Sequence, residues 1–500
     1  MADIPLRSLV IFLVTFIAFA FLLSRIKTSG KKPHSLRDPI PGIFNALQFM
    51  FNNHKFMIRV QNALQDSNLV RFYLGSKPVY LAVGPQSIRA MFGRELVHCV
   101  TNQEQMTRFA LPTLYRMNCE EVRRWEADTS GVAKVPIAGT ESRPRYMKPL
   151  VERFKHDLGR ALERYPTGKW TTVSVSEICR HEVAESAVNM LFGPNLIKLN
   201  PDFIDRFWDF DEHVFKLVMV PKWVDSTPSK AQDRYLVAIE KWLDSSDKFD
   251  WESPEAEADW EPCFGGRAVR ELVRWMQETE WRKEVIAATL GALAFAIPTT
   301  IWMLMEIVKD TSLLQAVRDE VSTALITDPR TGERTLDSQK FVALPLLQSI
   351  FTETLRLRIN FNITRDVKQP ITLDGHTIAK GSMLQAPMMV SHYDESSWGA
   401  PDHPAKEFWA ERHIQYTSET DESGKAYRKR VYAMAGRHLS KYEVFLTIAV
   451  MVSQFDIELA GWTKADGSPS GRPAESDMRY CGAGAMPPDR DMQIRLRRVE

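Results

Sequence analysis

A chain of 500 residues with 44% hydrophobic side chains can bury a large core, and with no low-complexity linker and no internal repeat it reads as one large domain. Its 64 basic and 63 acidic residues leave a net charge of +1, too small a field to gather phosphates, which argues against nucleic acid as a partner. The five cysteines, Cys99, Cys119, Cys179, Cys263 and Cys481, are odd in number, scattered and without a CxxC pair, which speaks against a disulfide framework and for a reducing compartment.

The N-terminus departs from this pattern. From Ser8 to Ser24 the run SLVIFLVTFIAFAFLLS is uncharged and reaches roughly the 17 residues needed to cross a hydrocarbon core as a helix. Arg25, Lys27, Lys31 and Lys32 follow it, whereas only Asp3 and Arg7 precede it, so the positive-inside bias leaves the bulk of the chain in the cytosol. A cleaved secretory signal is the competing reading. The run lacks a small-x-small exit before Arg25, which favours an uncleaved anchor with its basic flank over residues 1–30 and a single domain over 31–500.

Further along, Val70–Leu74 and Val79–Val83, split by turn residues Gly75 to Pro78, predict a hairpin. The stretch Asp244 to Glu261 gathers eight acidic residues among three aromatics and reads as an exposed connection between helices. A second uncharged run, Val285 to Met305, is long enough to span a membrane. Its flanking charges show no orienting bias and it contains Gly291, Pro298, Thr299 and Thr300, so a buried central helix is the better reading. Helical periodicity is strongest over Leu313–Leu325, Leu344–Leu357 and His438–Phe455, and Pro370–Val390 alternates strand and turn signals.

Chemistry-bearing residues concentrate in the C-terminal third. Glu353 and Arg356 sit three apart in LPLLQSIFTETLRLR and share a helix face. An E-x-x-R match alone is weak, since roughly two are expected by chance in a chain this long. Here it is followed in order by the strand patch, KEFWAERHI with Glu411 and Arg412, the helix start AGRHLSKYEV, and the ending GAGAMPPDRDMQIRLRR.

With these segments in this order the chain resembles the cytochrome P-450 (haem-thiolate monooxygenase) superfamily, most closely its fungal members in the branch of prostacyclin synthase and the sterol 7-hydroxylases. The resemblance implies a mainly α fold with small β-sheets, the cytochrome P-450 fold, behind one N-terminal transmembrane helix. It implies that Glu353, Arg356 and Arg412 form a buried structural charged triad, in which losing one member strands the others at about 3–5 kcal/mol.

The same resemblance exposes three departures. Gly436, Arg437, His438, Leu439, Lys441 and Glu443 match the later half of the family's haem-binding loop, which puts Met434 where the axial cysteine belongs, with no glycine-rich turn before it. Met434 reads as a packing residue. His438 is a weak candidate for iron, since its position is an ordinary helix residue in the family. Cys481 belongs to the terminal hairpin and does not carry over as the ligand. In the central helix, Phe295-Ala296-Ile297-Pro298-Thr299 replaces the family's polar element beside the oxygen site; Thr299 and Thr300 are the weak catalytic candidates there, and Pro298 is expected to kink the helix. Around Thr140 to Lys148 the helix that holds the haem propionates is short or missing, with Arg143 or Arg145 as its remaining cations.

Function is therefore expected at three levels. By resemblance the chain is a monooxygenase of a small lipophilic molecule of secondary-metabolite, terpenoid or sterol-like type. It would carry haem, draw electrons from a separate NADPH-dependent reductase, and sit as a single-pass protein of the endoplasmic reticulum membrane with a cytosolic domain. The absent cysteine leaves open a form that has lost internal blocks, a haem-independent cyclase or isomerase that holds a reactive conformer, and an inactive binding relic.

Overall fold

The computed structural model describes residues 33–499, apart from 41, 65–67, 94–95, 97, 102–109, 130–143, 221, 246–248, 254–257, 292–296, 328–333, 421–425, 433–438 and 482. The apolar run from Ser8 to Ser24 and the basic residues after it lie outside this set. Among the described residues, no helix is long and apolar enough to cross a membrane. The chain divides into two compact units, each assembled from three separate stretches.

The smaller unit takes Met1–Arg108, Ile359–Glu407 and Asp477–Met486. Its sheet is built on the hairpin of Leu69–Leu74 and Lys77–Ala82, turned at Gly75 with φ of 60°. Lys77–Ala82 then pairs in parallel with Met383–Pro387, which runs antiparallel to Ile359–Val367. Alternation along the hairpin sends Val70, Phe72, Val79 and Leu81 to one face, against Phe56, Met57 and Val60. Leu69, Tyr80 and Ala82 go to the other face, with Leu384 and Ala386. The expected strand patch, Pro370–Val390, holds a small hairpin, Ile371–Leu373 with His376–Ile378, turned at Asp374 and Gly375, whose φ angles are both positive, and the strand Met383–Pro387, but its end is helical over Met388–His392.

The larger unit, Phe109–Arg358 with Phe408–Ser476 and Pro487–Glu500, is mainly helical. Its helices include α1 (Pro144–Leu162), α2 (Lys283–Gly291), α3 (Ile297–Val308), α4 (Thr311–Ser322), α5 (Pro345–Arg358) and α6 (Leu439–Gln454). Every residue of α3 except Pro298 is buried, and so are Val285 to Gly291 of α2. The second uncharged run thus supplies the centre of the unit. Pro298 is the second described residue of α3, and the residues that precede it, 292–296, lie outside the described set together with the kink expected there. Asp310 caps α4 by accepting the N–H groups of Ser312 and Leu313. A sheet of Thr171–Ser174, Asp491–Arg498, Phe455–Thr463 and Pro469–Ser470 closes one side of the unit.

Two segments differ from their sequence reading. The acidic stretch ending at Glu261 is more than an exposed connection. Phe249 and Trp251 pack on Phe264 at 5.2 and 5.9 Å, and Glu261 is buried, accepting the N–H groups of Cys263 and Phe264. Beyond Arg412 the chain forms a hairpin, β1 (Ile414–Thr420) and β2 (Ala426–Tyr432), paired over its full length from Ile414 with Tyr432 to Thr420 with Ala426.

Candidate functional site

The centre of the site is the Glu353 carboxylate on α5, fully buried. Arg356, one turn on, donates to it twice, Nε to Oε2 and one terminal nitrogen to Oε1, both at 2.8 Å. Arg412 adds a third bond from Nε to Oε1 at 2.9 Å, and the Trp409 N–H a fourth at 3.2 Å. His413 places Nε2 at 3.2 Å from Oε2, while its backbone N–H donates to Ser349 Oγ. Burial opposes ionisation of Glu353, but the bonds from Arg356, His413 and Arg412 outweigh it and hold the carboxyl down at about 2. The structure thus brings Glu353, Arg356 and Arg412 into one network. His413 is a member that sequence reasoning missed, although it directly follows Arg412 in AERHI.

A second charged network escaped the sequence altogether. Glu306 on α3 is 3% exposed and accepts from Arg358 on α5 at 2.9 Å, with Lys309 as its other partner. The Arg358 guanidinium lies 3.7 Å from the centroid of Trp302 and donates to Ser476 Oγ. Nothing in local spacing links Glu306 to Arg358; only the packing of α3 on α5 does.

The other sequence candidates are dispersed. Thr299 and Thr300 are buried in α3. Met434, Arg437 and His438 lie outside the described residues, as does Arg143, and the Arg145 side chain is not described either. The cysteines do not converge. Cys119 and Cys263 are exposed, Cys99 is half-buried and Cys179 is buried in a π-helical turn, Cys179–Val183. Cys481 is buried in the smaller unit, where Asn360 Nδ2 donates to its sulfur at 3.2 Å. Burial pushes the Cys179 thiol well up and the Cys481 thiol to about 11; burial and then Glu261 raise Cys263. Among the described residues no three His, Cys, Asp or Glu side chains gather to hold a metal ion.

The smaller unit contains a half-open cavity of about 1000 Å³. Val83, Ile88, Phe92, Ile363, Val390 and Trp398 supply its apolar wall. Gln61, Asn68, Arg89, His392, Asp394 and Glu395 add polar groups to its lining, so it suits a drug-sized molecule with both apolar and polar groups.

The sequence profile described as Cytochrome P450 matches residues 33–466. The chain belongs to the cytochrome P450 family. The cytochrome P450 monooxygenase calL of Penicillium decumbens is 34% identical, covering 99% of both chains. A second monooxygenase, fsoE of Humicola fuscoatra, is 26% identical over 94% of this chain and 88% of its own. Among solved structures, retinoic acid-bound cyanobacterial CYP120A1 superposes with a TM-score of 0.60 at 17% identity, covering 94% of this chain and all of the other, a likeness of fold. The alignment with the Penicillium protein runs over 532 positions, so at least 32 of them have no counterpart in these 500 residues.

The P450 family implies haem, whose iron takes a cysteine thiolate. The donors in this chain do not fit that group. No cysteine lies among residues 433–438 directly before α6, and every cysteine whose ionisation is displaced favours the neutral thiol.

Proposed function

We propose that the chain serves secondary metabolism by acting on a small lipophilic molecule, in a lineage whose task is monooxygenation. The full-length match to the Penicillium decumbens monooxygenase carries this reading. The lipophilic substrate class follows from the family resemblance; the cavity of the smaller unit, with its mixed lining, supports only a small-molecule ligand. By the same reading Glu353, Arg356 and Arg412 act as a structural core, and the run from Ser8 to Ser24 anchors the protein at the endoplasmic reticulum membrane with its domain in the cytosol. An NADPH-dependent reductase is the expected partner of a form that carries the cysteine loop, since no flavin or nicotinamide motif is present in this chain. By this reading a longer, loop-bearing form is the oxygenating species.

Disruption of the gene followed by metabolite profiling tests this. The expected outcome is loss of a lipophilic product and build-up of a precursor that lacks one oxygen atom. A precursor of the same composition as the product would replace oxygenation with cyclisation or isomerisation. An unchanged profile would overturn the reading in favour of an inactive relic. Complementation with the loop-bearing form carrying Ile363→Trp, which narrows the cavity, is expected to leave the precursor unconverted.

A further inference from the structure

We infer that this 500-residue chain folds as a haem-free member of its family, held by protein contacts alone around the segment where the cofactor loop would stand. The inference rests on family membership and not on which lipophilic molecule the protein handles. The deciding region is the join between β2 and α6. Residues 433–438 of the sequence, between Tyr432 and Leu439, offer Met434 and His438 as their donor side chains. A thioether and a neutral imidazole bring no thiolate charge to iron.

Both ends of that join are fixed against α5. At the β2 end, the Tyr432 hydroxyl is hydrogen-bonded to Thr352 Oγ1. At the α6 end, Phe445 packs edge-on against Phe351 at 5.5 Å and against Phe341 at 6.0 Å. Lys441 ties the two ends together: its ammonium lies 5.9 Å from the Tyr432 ring and 5.3 Å from the Phe445 ring. Upstream, the hairpin is braced by Glu411, which accepts from Tyr416 at 2.7 Å and pairs with Arg430 at 3.4 Å.

Among the described residues, the charge at the centre of the larger unit is met by protein groups. Glu353 has its charge met by Arg356, Arg412 and His413. The five cysteines are placed elsewhere: two exposed, one half-buried, and Cys179 and Cys481 buried as neutral thiols. A buried charge network that closes on itself and an apolar core that packs on itself are the conditions for a fold to stand without its ancestral ligand.

The test is expression of the full chain with a haem precursor in the medium, then iron analysis, the spectrum of the reduced protein under carbon monoxide, and thermal unfolding with and without added hemin. The expected result is protein without a Soret band or bound iron, unfolding cooperatively at a midpoint that hemin does not shift. Stoichiometric haem with a thiolate-type carbon monoxide band overturns the inference. So does a saturable rise in midpoint on adding hemin, or a haem-free chain with no cooperative transition. Met434→Cys asks whether the ligand alone is missing; it is expected to stay colourless because the sequence before it still lacks the glycine-rich turn, and a thiolate band in M434C would overturn the inference.

Discussion

The Arg356 guanidinium grips the Glu353 carboxylate in two parallel bonds of 2.8 Å from one helical turn away, inside a core where Glu353 has no exposure. Removing the carboxylate leaves Arg356, Arg412 and His413 facing one another without it. Glu353→Ala is therefore expected to destabilise the larger unit by about 3–5 kcal/mol. Urea unfolding followed by circular dichroism measures this, and a loss below about 1 kcal/mol, the range of exposed pairs, would mean that the network carries no such weight.

The same carboxylate gives the protein an acid limit. Its folded pKa of about 2 is below its ordinary value of 4.5, so its contribution is full above 4.5 and is lost as pH falls towards 2. Unfolding midpoints recorded between pH 5 and about 2 are expected to drop, and to drop less steeply in Glu353→Gln. Parallel curves for the two proteins would assign the acid sensitivity to other groups.

Arg358→Met tests the second network. It leaves Glu306 buried with Lys309 as its charged partner and removes the stacking on Trp302. A cost of about 1.5–3 kcal/mol is expected, the value of a hydrogen bond to a charged group. The double variant Glu306→Gln/Arg358→Met is expected to recover part of it, because the buried charge goes as well. Strict additivity of the two single substitutions would show that the residues are not coupled.

Thiol labelling separates the cysteines. Under native conditions a maleimide is expected to label Cys119 and Cys263 quickly, with Cys179 and Cys481 labelled only after denaturation. Peptide mass spectrometry reads the sites. Rapid native labelling of Cys481 would contradict its enclosure by Asn360, Met389 and Asn53.

Much of the fold was legible because its signals are local. The hairpin at Leu69–Ala82 shows as alternation around Gly75, and α4, α5 and α6 show as apolar periodicity. Glu353 and Arg356 are visible through their spacing on one helix, and Arg412 through a family pattern. What stayed hidden depends on packing between distant stretches. Glu306 meets Arg358 across 52 residues, and His413 reaches Glu353 across 60. The hairpin of β1 and β2 was passed over because its polar, charged strands lack the apolar alternation that marks a half-buried sheet. Glu261 and its aromatic neighbours were hidden by the acidic composition around them.

The division of the chain has a consequence for how the protein is made. The smaller unit pairs Val79 with Met383, and its last stretch ends only at Met486; the larger one needs Asp491–Arg498 to pair with Thr171–Ser174. Neither unit can close while the ribosome still holds the C-terminal residues, so N-terminal-first folding during synthesis is denied to both. Long-range closure of this kind is slow. The nascent chain therefore carries strands with an open edge, such as Lys77–Ala82 beyond its local hairpin, through most of its elongation, and its yield in the cell is expected to depend on chaperones that cover them.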